Sequence, residues 1–100
     1  MSKTDNNYET LRGVLDMAYS RASEGKGKER HAKDTPFEEQ LWHDICGHHG
    51  IGFMLGQVEK KAVEQYGLPH EKRIDELLDI IVYTSMCVIN LRETPPNDVA

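Results

Sequence analysis

No apolar run in this sequence is long enough to cross a membrane. The longest candidate, Ile80 to Leu91, has twelve residues and contains Thr84, Ser85 and Asn90. A spanning helix needs about 20. Cysteine is scarce, with Cys46 and Cys87 alone. Both sit inside apolar helical patterns, and no disulfide framework is spelled out, which points to small buried thiols in a reducing compartment. Positive charge is in the minority: twelve Lys and Arg against seventeen Asp and Glu leave a net charge of −5. Such a chain lacks the attraction to phosphodiester backbone on which general DNA binding draws. The polar start, Met1 to Asn7, has no apolar stretch of the kind a secretory leader carries. Hairpin signals, internal repeats and low-complexity segments are missing too. The expectation is a cytoplasmic protein with no membrane and no DNA among its partners.

What is present is helical periodicity. One hundred residues make one domain, with a core that is marginal for a monomer. Residues 1–6 read as disordered, 7–92 as the helical domain and 93–100 as a flexible tail. A first helix is capped by Asn6 or Asn7 and carries Glu9 in its first turn. Tyr8, Leu11, Val14, Leu15, Ala18 and Ala22 fall on one face of it. It should stop near Glu24, with Gly25 and Gly27 as caps.

A second helix is expected to start at Thr35-Pro36, with Thr35 as N-cap, Pro36 at the first helical position and Glu38 completing a capping box. It should reach about Tyr66. Glycines at 47, 50, 52 and 56 interrupt it, each costing about 1 kcal/mol against Ala in a helix interior. They allow either a break near Gly47–Gly50 or a close helix approach at Gly52 and Gly56. A third helix, about His70 to Arg92, carries the stripe Ile74, Leu77, Leu78, Ile81, Ser85, Val88, Leu91. From Ile80 its other face is apolar as well. Two partner helices in a small monomer hardly cover such a helix. The expected fold class is therefore all-α, a small bundle of three to four helices assembling as a homo-oligomer.

Between the first two helices lies a cationic segment. From Arg21 to Lys33, five Lys and Arg face two Glu, a local positive charge inside an acidic chain. Lys26, Lys28, Arg30 and His31 beside Gly25 and Gly27 have the makings of a phosphate seat. Glycine lets backbone N–H groups approach an anion, Lys supplies point charge, and Arg supplies a planar fork. The plainer reading is a solvated connector. Trp42, Tyr8, Tyr19, Phe37 or Tyr66 could stack on a base, and His43, His48 and His49 could hydrogen-bond ribose or phosphate. Core packing is the plainer reading for Phe37 and Phe53.

Two other chemistries are written in the chain. His43, Asp44, Cys46, His48 and His49 crowd into seven residues, and some share a helical face, as zinc ligands can. The second ligand pair of a structural zinc site is missing. Glu76 and Asp79 stand three apart in Ile74-Asp75-Glu76-Leu77-Leu78-Asp79-Ile80-Ile81-Val82-Tyr83. Their plain reading is a solvated face pairing with Lys72 and Arg73. This run resembles the second carboxylate helix of the MazG-like all-α nucleoside triphosphate pyrophosphatases. That resemblance implies Mg²⁺ held by hard oxygen ligands, with Glu76, Asp79 and Glu59 as the catalytic set. The first carboxylate pair departs from the family pattern: Glu59 and Glu64 are five apart and position 62 is Ala.

The chain as a whole is similar to a group of small helical proteins of tailed bacteriophages. The carrying residues are Gly25 to His31, Pro36-Phe37-Glu38-Glu39-Gln40, Gly52-Phe53 through Gly56-Gln57, Lys60-Lys61 and Glu76-Leu77-Leu78-Asp79. The resemblance implies a phage origin and a role in the host cytoplasm. Small phage proteins of this size and charge layout include sponges that sequester immune nucleotide signals. The leading expectation is therefore capture of a nucleotide-like phosphorylated ligand without turnover and without a cofactor. Lys26, Lys28, Arg30 and His31 would hold phosphate, with Trp42, His43 and Tyr8 on base or ribose. The alternatives are a Mg²⁺-dependent pyrophosphohydrolase and a protein–protein inhibitor of a host factor.

Overall fold

The computed structural model of the chain describes residues 7–24 and 35–95. Among them there are four α-helices and no strand, as the periodicity requires. Helix α1 is Glu9–Glu24, with Glu9 in its first turn and Arg21 in its last, each matched to the end of the helix dipole it sits on. Helix α2 is Leu41–His49, α3 is Gly52–Glu64 and α4 is His70–Glu93.

The expected second helix is thus two helices, divided at Gly50. That residue has φ 76°, a left-handed conformation that glycine alone adopts without steric cost. Its N–H donates to the Cys46 carbonyl at 2.7 Å, closing the last turn of α2 while the chain leaves it. Gly52 and Gly56 are not sites of close approach: a Cβ built on either would meet nothing within 4 Å. They weaken α3 without bringing another backbone near.

The start at Thr35-Pro36 also differs from the expected cap. Pro36 has φ −52° and ψ 145°, so it is extended and precedes the helix instead of opening it. A single 3₁₀ turn, Phe37–Glu39, follows with no side-chain cap. Gln40 is again extended, and α2 begins only at Leu41. Thr35 acts through its carbonyl, which accepts from Gln40 Nε2 at 3.1 Å.

Helix α3 tightens into the 3₁₀ turn Gln65–Gly67, and extended Leu68 and Pro69 lead into α4. Twenty-four residues give α4 a length of about 36 Å. It is the axis of the molecule, and α1, α2 and α3 all pack on it. The main core lies where α2 and α3 meet its C-terminal half: Trp42, Cys46, Met54, Met86 and Cys87, with Phe37, Ile51, Val82, Tyr83 and Ile89 against it. Both thiols are free and buried. Burial pushes both up, so they are inert packing groups. Helix α1 buries only Ala18. It is attached by that small contact and by the polar cluster described next.

Candidate functional site

Two features of α1, α3 and α4 stand out: an ion cluster and a cavity. The cluster forms because α1 and α3 each place one cation against the acidic N-terminal half of α4. Lys61 Nζ lies 3.2 Å from Glu76 Oε1 and 3.2 Å from Asp79 Oδ2. Arg21 Nε lies 2.6 Å from Asp79 Oδ1, and its Nη1 lies 3.6 Å from Asp75. All are half-buried or better, and Lys61 has the Tyr83 ring 5.9 Å away.

Burial alone would raise the Asp79 carboxyl. The hydrogen bonds from Arg21 and Lys61 outweigh it and hold the group below its usual 3.8. Burial would likewise lower Lys61, and its bonds to Asp79 and Glu76 reverse the sign and raise it above 10.5. Arg21 is raised, chiefly by its hydrogen bond to Asp79.

The partners expected for this acidic face, Lys72 and Arg73, do not take it. Arg73 instead donates from Nε to buried Gln65 at 2.7 Å. Nor does Glu59 join Glu76 and Asp79 in the cluster, and it is exposed. The oxygen pair that would face Mg²⁺ in the hydrolase reading faces the Lys61 ammonium.

The cavity lies between α1, the 3₁₀ turn and α4, and its volume is about 560 Å³. Leu15, Ala18, Tyr19, Ala22 and Ser23 wall it from α1, Ile81, Val82 and Ser85 from α4, and Thr35, Phe37 and Gln40 from the connecting side. The short side chains of Ala18 and Ala22 on α1 leave this space beside α4. Its walls are apolar with hydroxyls and one amide at the edges, and none of the described lining residues is charged. The volume falls within the ~300–1,000 Å³ of small-molecule sites.

The cationic segment bears on this cavity through the chain itself. Ser23 and Thr35 both line it. The sequence enters Gly25 two residues after Ser23 and leaves Asp34 immediately before Thr35. Lys26, Lys28, Arg30 and His31 themselves lie outside the described residues.

The other expected ligand contacts are scattered. Trp42 is buried, its indole N–H donates to the Phe37 carbonyl at 2.8 Å, and its ring packs at 5.1 Å on Phe37. Tyr8 is exposed at the start of α1 and does not line the cavity. His43 Nε2 lies 2.8 Å from Glu93 and joins α2 to the end of α4, so Glu93 belongs to the helix and not to a tail. The aromatics that do line the cavity are Tyr19 and Phe37.

The His/Cys group does not converge either. Cys46 points into the core, His43 is held by Glu93, and His48 and His49 are exposed. Among the described residues no three His, Cys, Asp or Glu side chains are placed to hold a metal ion. Lys61, Ser23, Thr35, Gln40 and Ser85 carried no signal for an ion cluster or a cavity, because the residues they meet there on other helices are distant in the chain. No helix among the described residues is long and apolar enough to cross a membrane. No protein-family model, curated protein or solved structure matches this chain.

Proposed function

We propose that this chain captures a nucleotide-like phosphorylated ligand without turning it over, as a phage-encoded sponge for a nucleotide signal would. The observation that carries the reading is the cavity whose rim residues Ser23 and Thr35 bracket the cationic segment. A planar base would occupy the apolar volume that Tyr19 and Phe37 help to line. Ser23, Thr35, Gln40 and Ser85 supply donors and acceptors for its edge or for ribose. The phosphate charge is met by Lys26, Lys28, Arg30 and His31. Binding without hydrolysis is supported by the ion cluster, since Glu76 and Asp79 are neutralised from within by Lys61 and Arg21. A metal ion would have to displace an ammonium group held by two carboxylates.

The test is to incubate the protein with a panel of mono-, di- and cyclic nucleotides and ADP-ribose derivatives, heat-denature it, and analyse the released ligand. Intact ligand is expected, with at least tenfold weaker capture on Lys26→Ala/Arg30→Ala and on Tyr19→Ala. Cleaved ligand, formed with Mg²⁺ and lost on Asp79→Ala, would establish the hydrolase instead. Absence of binding across the panel would direct attention to a protein target.

A further inference from the structure

One face of α4, exposed except at Ile81, carries a three-then-four spacing. Ile74, Leu77, Ile81, Thr84, Val88 and Leu91 follow the a and d positions of a heptad from the second turn of the helix to its last. The β-branched residues Ile74, Ile81 and Val88 take the a positions, and Leu77, Thr84 and Leu91 take d. In a parallel pairing, that division of side chains favours two strands. The seam faces away from the core, because α2 and α3 pack on the opposite side of α4, where Met86 and Cys87 are buried. Ile74, Leu77, Val88 and Leu91 are 41–51% exposed, an unusual state for four large apolar residues in one line.

The charge pattern says what can cover this face. The protein is acidic overall, so two copies repel unless they meet where carboxylates are turned away. Along the seam they are: Asp75, Glu76 and Asp79 occupy b, c and f positions and point to Arg21 and Lys61. Between Ile74 and Leu91 no a, d, e or g position is charged.

The area agrees. The apolar surface continues onto α1, since Leu15 and Ile81 line the same cavity. A stable interface buries about 800 Å² per partner. The exposed parts of Ile74, Leu77, Val88, Leu91 and Leu15 come to roughly 400 Å², close to the apolar share, about 57%, of the surface one partner of such an interface buries.

We infer that a second copy of this chain docks on the α4 seam, as a parallel two-fold pair in which Thr84 faces Thr84 of the other copy. The pair is a layer of four helices, with α1 flanking each α4. The seam and the cavity share Leu15 and Ile81, but the inference does not rest on the ligand reading, and its test contains no ligand.

Light scattering at about 50 μM should give twice 11.4 kDa. Val88→Glu should return the mass to 11.4 kDa with far-UV helicity unchanged, because Val88 is half in solvent in the single chain. Val63→Glu, at a more exposed position on α3, should leave the pair intact. Thr84→Cys, a mild change at an exposed position, should cross-link the pair within minutes of oxidation, while wild type, with its thiols buried, should not. A wild-type mass of 11.4 kDa or one above the pair, an unchanged mass for Val88→Glu, or no cross-link at position 84 would each overturn the assignment.

Discussion

Lys61 does for the acidic face of α4 what no neighbour on that helix does. Its ammonium sits between two carboxylates three residues apart. Removing it leaves Glu76 and Asp79 to repel each other in a half-buried setting with Arg21 on one side only. Lys61→Ala should lower the unfolding free energy by about 1–3 kcal/mol, read from urea midpoints at constant slope. In that background Glu76→Gln should cost less than it does alone, since the carboxylate has then lost its partner.

His43 gives a pH-dependent counterpart. Its hydrogen bond to Glu93 raises it above 6.5 despite some desolvation. A base raised on folding contributes stability that is complete below its unfolded value and is lost as pH rises through the higher folded one. The melting temperature should therefore fall slightly as pH rises above 6.5, and Glu93→Gln should flatten that step.

The helices show how one residue type carries opposite meanings. Gly50 and Gly56 look alike in the sequence, both interrupting an apolar pattern. Only Gly50 has a positive φ. Gly50→Ala should destabilise by about 1–2 kcal/mol, because a Cβ crowds the following carbonyl there. Gly56→Ala should stabilise by about 0.5–1 kcal/mol, since it lies inside α3 with open space beside it. Thermal melts of the two variants check both signs. The ends of α1 and α4 were legible within a residue or two. Glu9, Pro69 and the Thr94-Pro95 stop act on adjacent backbone. The start of α2 was less legible, because Thr35-Pro36 can open a helix or precede a 3₁₀ turn, and packing of Phe37 on Trp42 decides between them.

As a whole molecule, the described residues bury few large side chains: Trp42, Met54, Leu78 and Met86 are the bulkiest core members among them. Meanwhile Tyr8, Leu11, Leu15, Leu77, Val88 and Leu91 remain largely in water. Stability then depends on what covers them. The melting temperature should climb by several degrees between about 2 and 200 μM protein, and Val88→Glu should abolish that dependence. Differential scanning fluorimetry across the concentration series checks it.

By itself the sequence determined the helical class, the span of α1 and α4, the missing membrane-length segment and the positive segment between helices. Each of these follows from composition, or from residues within four or five places of one another. Only the tertiary structure decided that Trp42 is core, that Glu76 and Asp79 answer to Lys61 and Arg21, and that a cavity opens between α1 and α4. Those outcomes depend on which helix faces meet. Meeting is settled by the shapes and charges of residues tens of positions apart, and local pattern does not encode that.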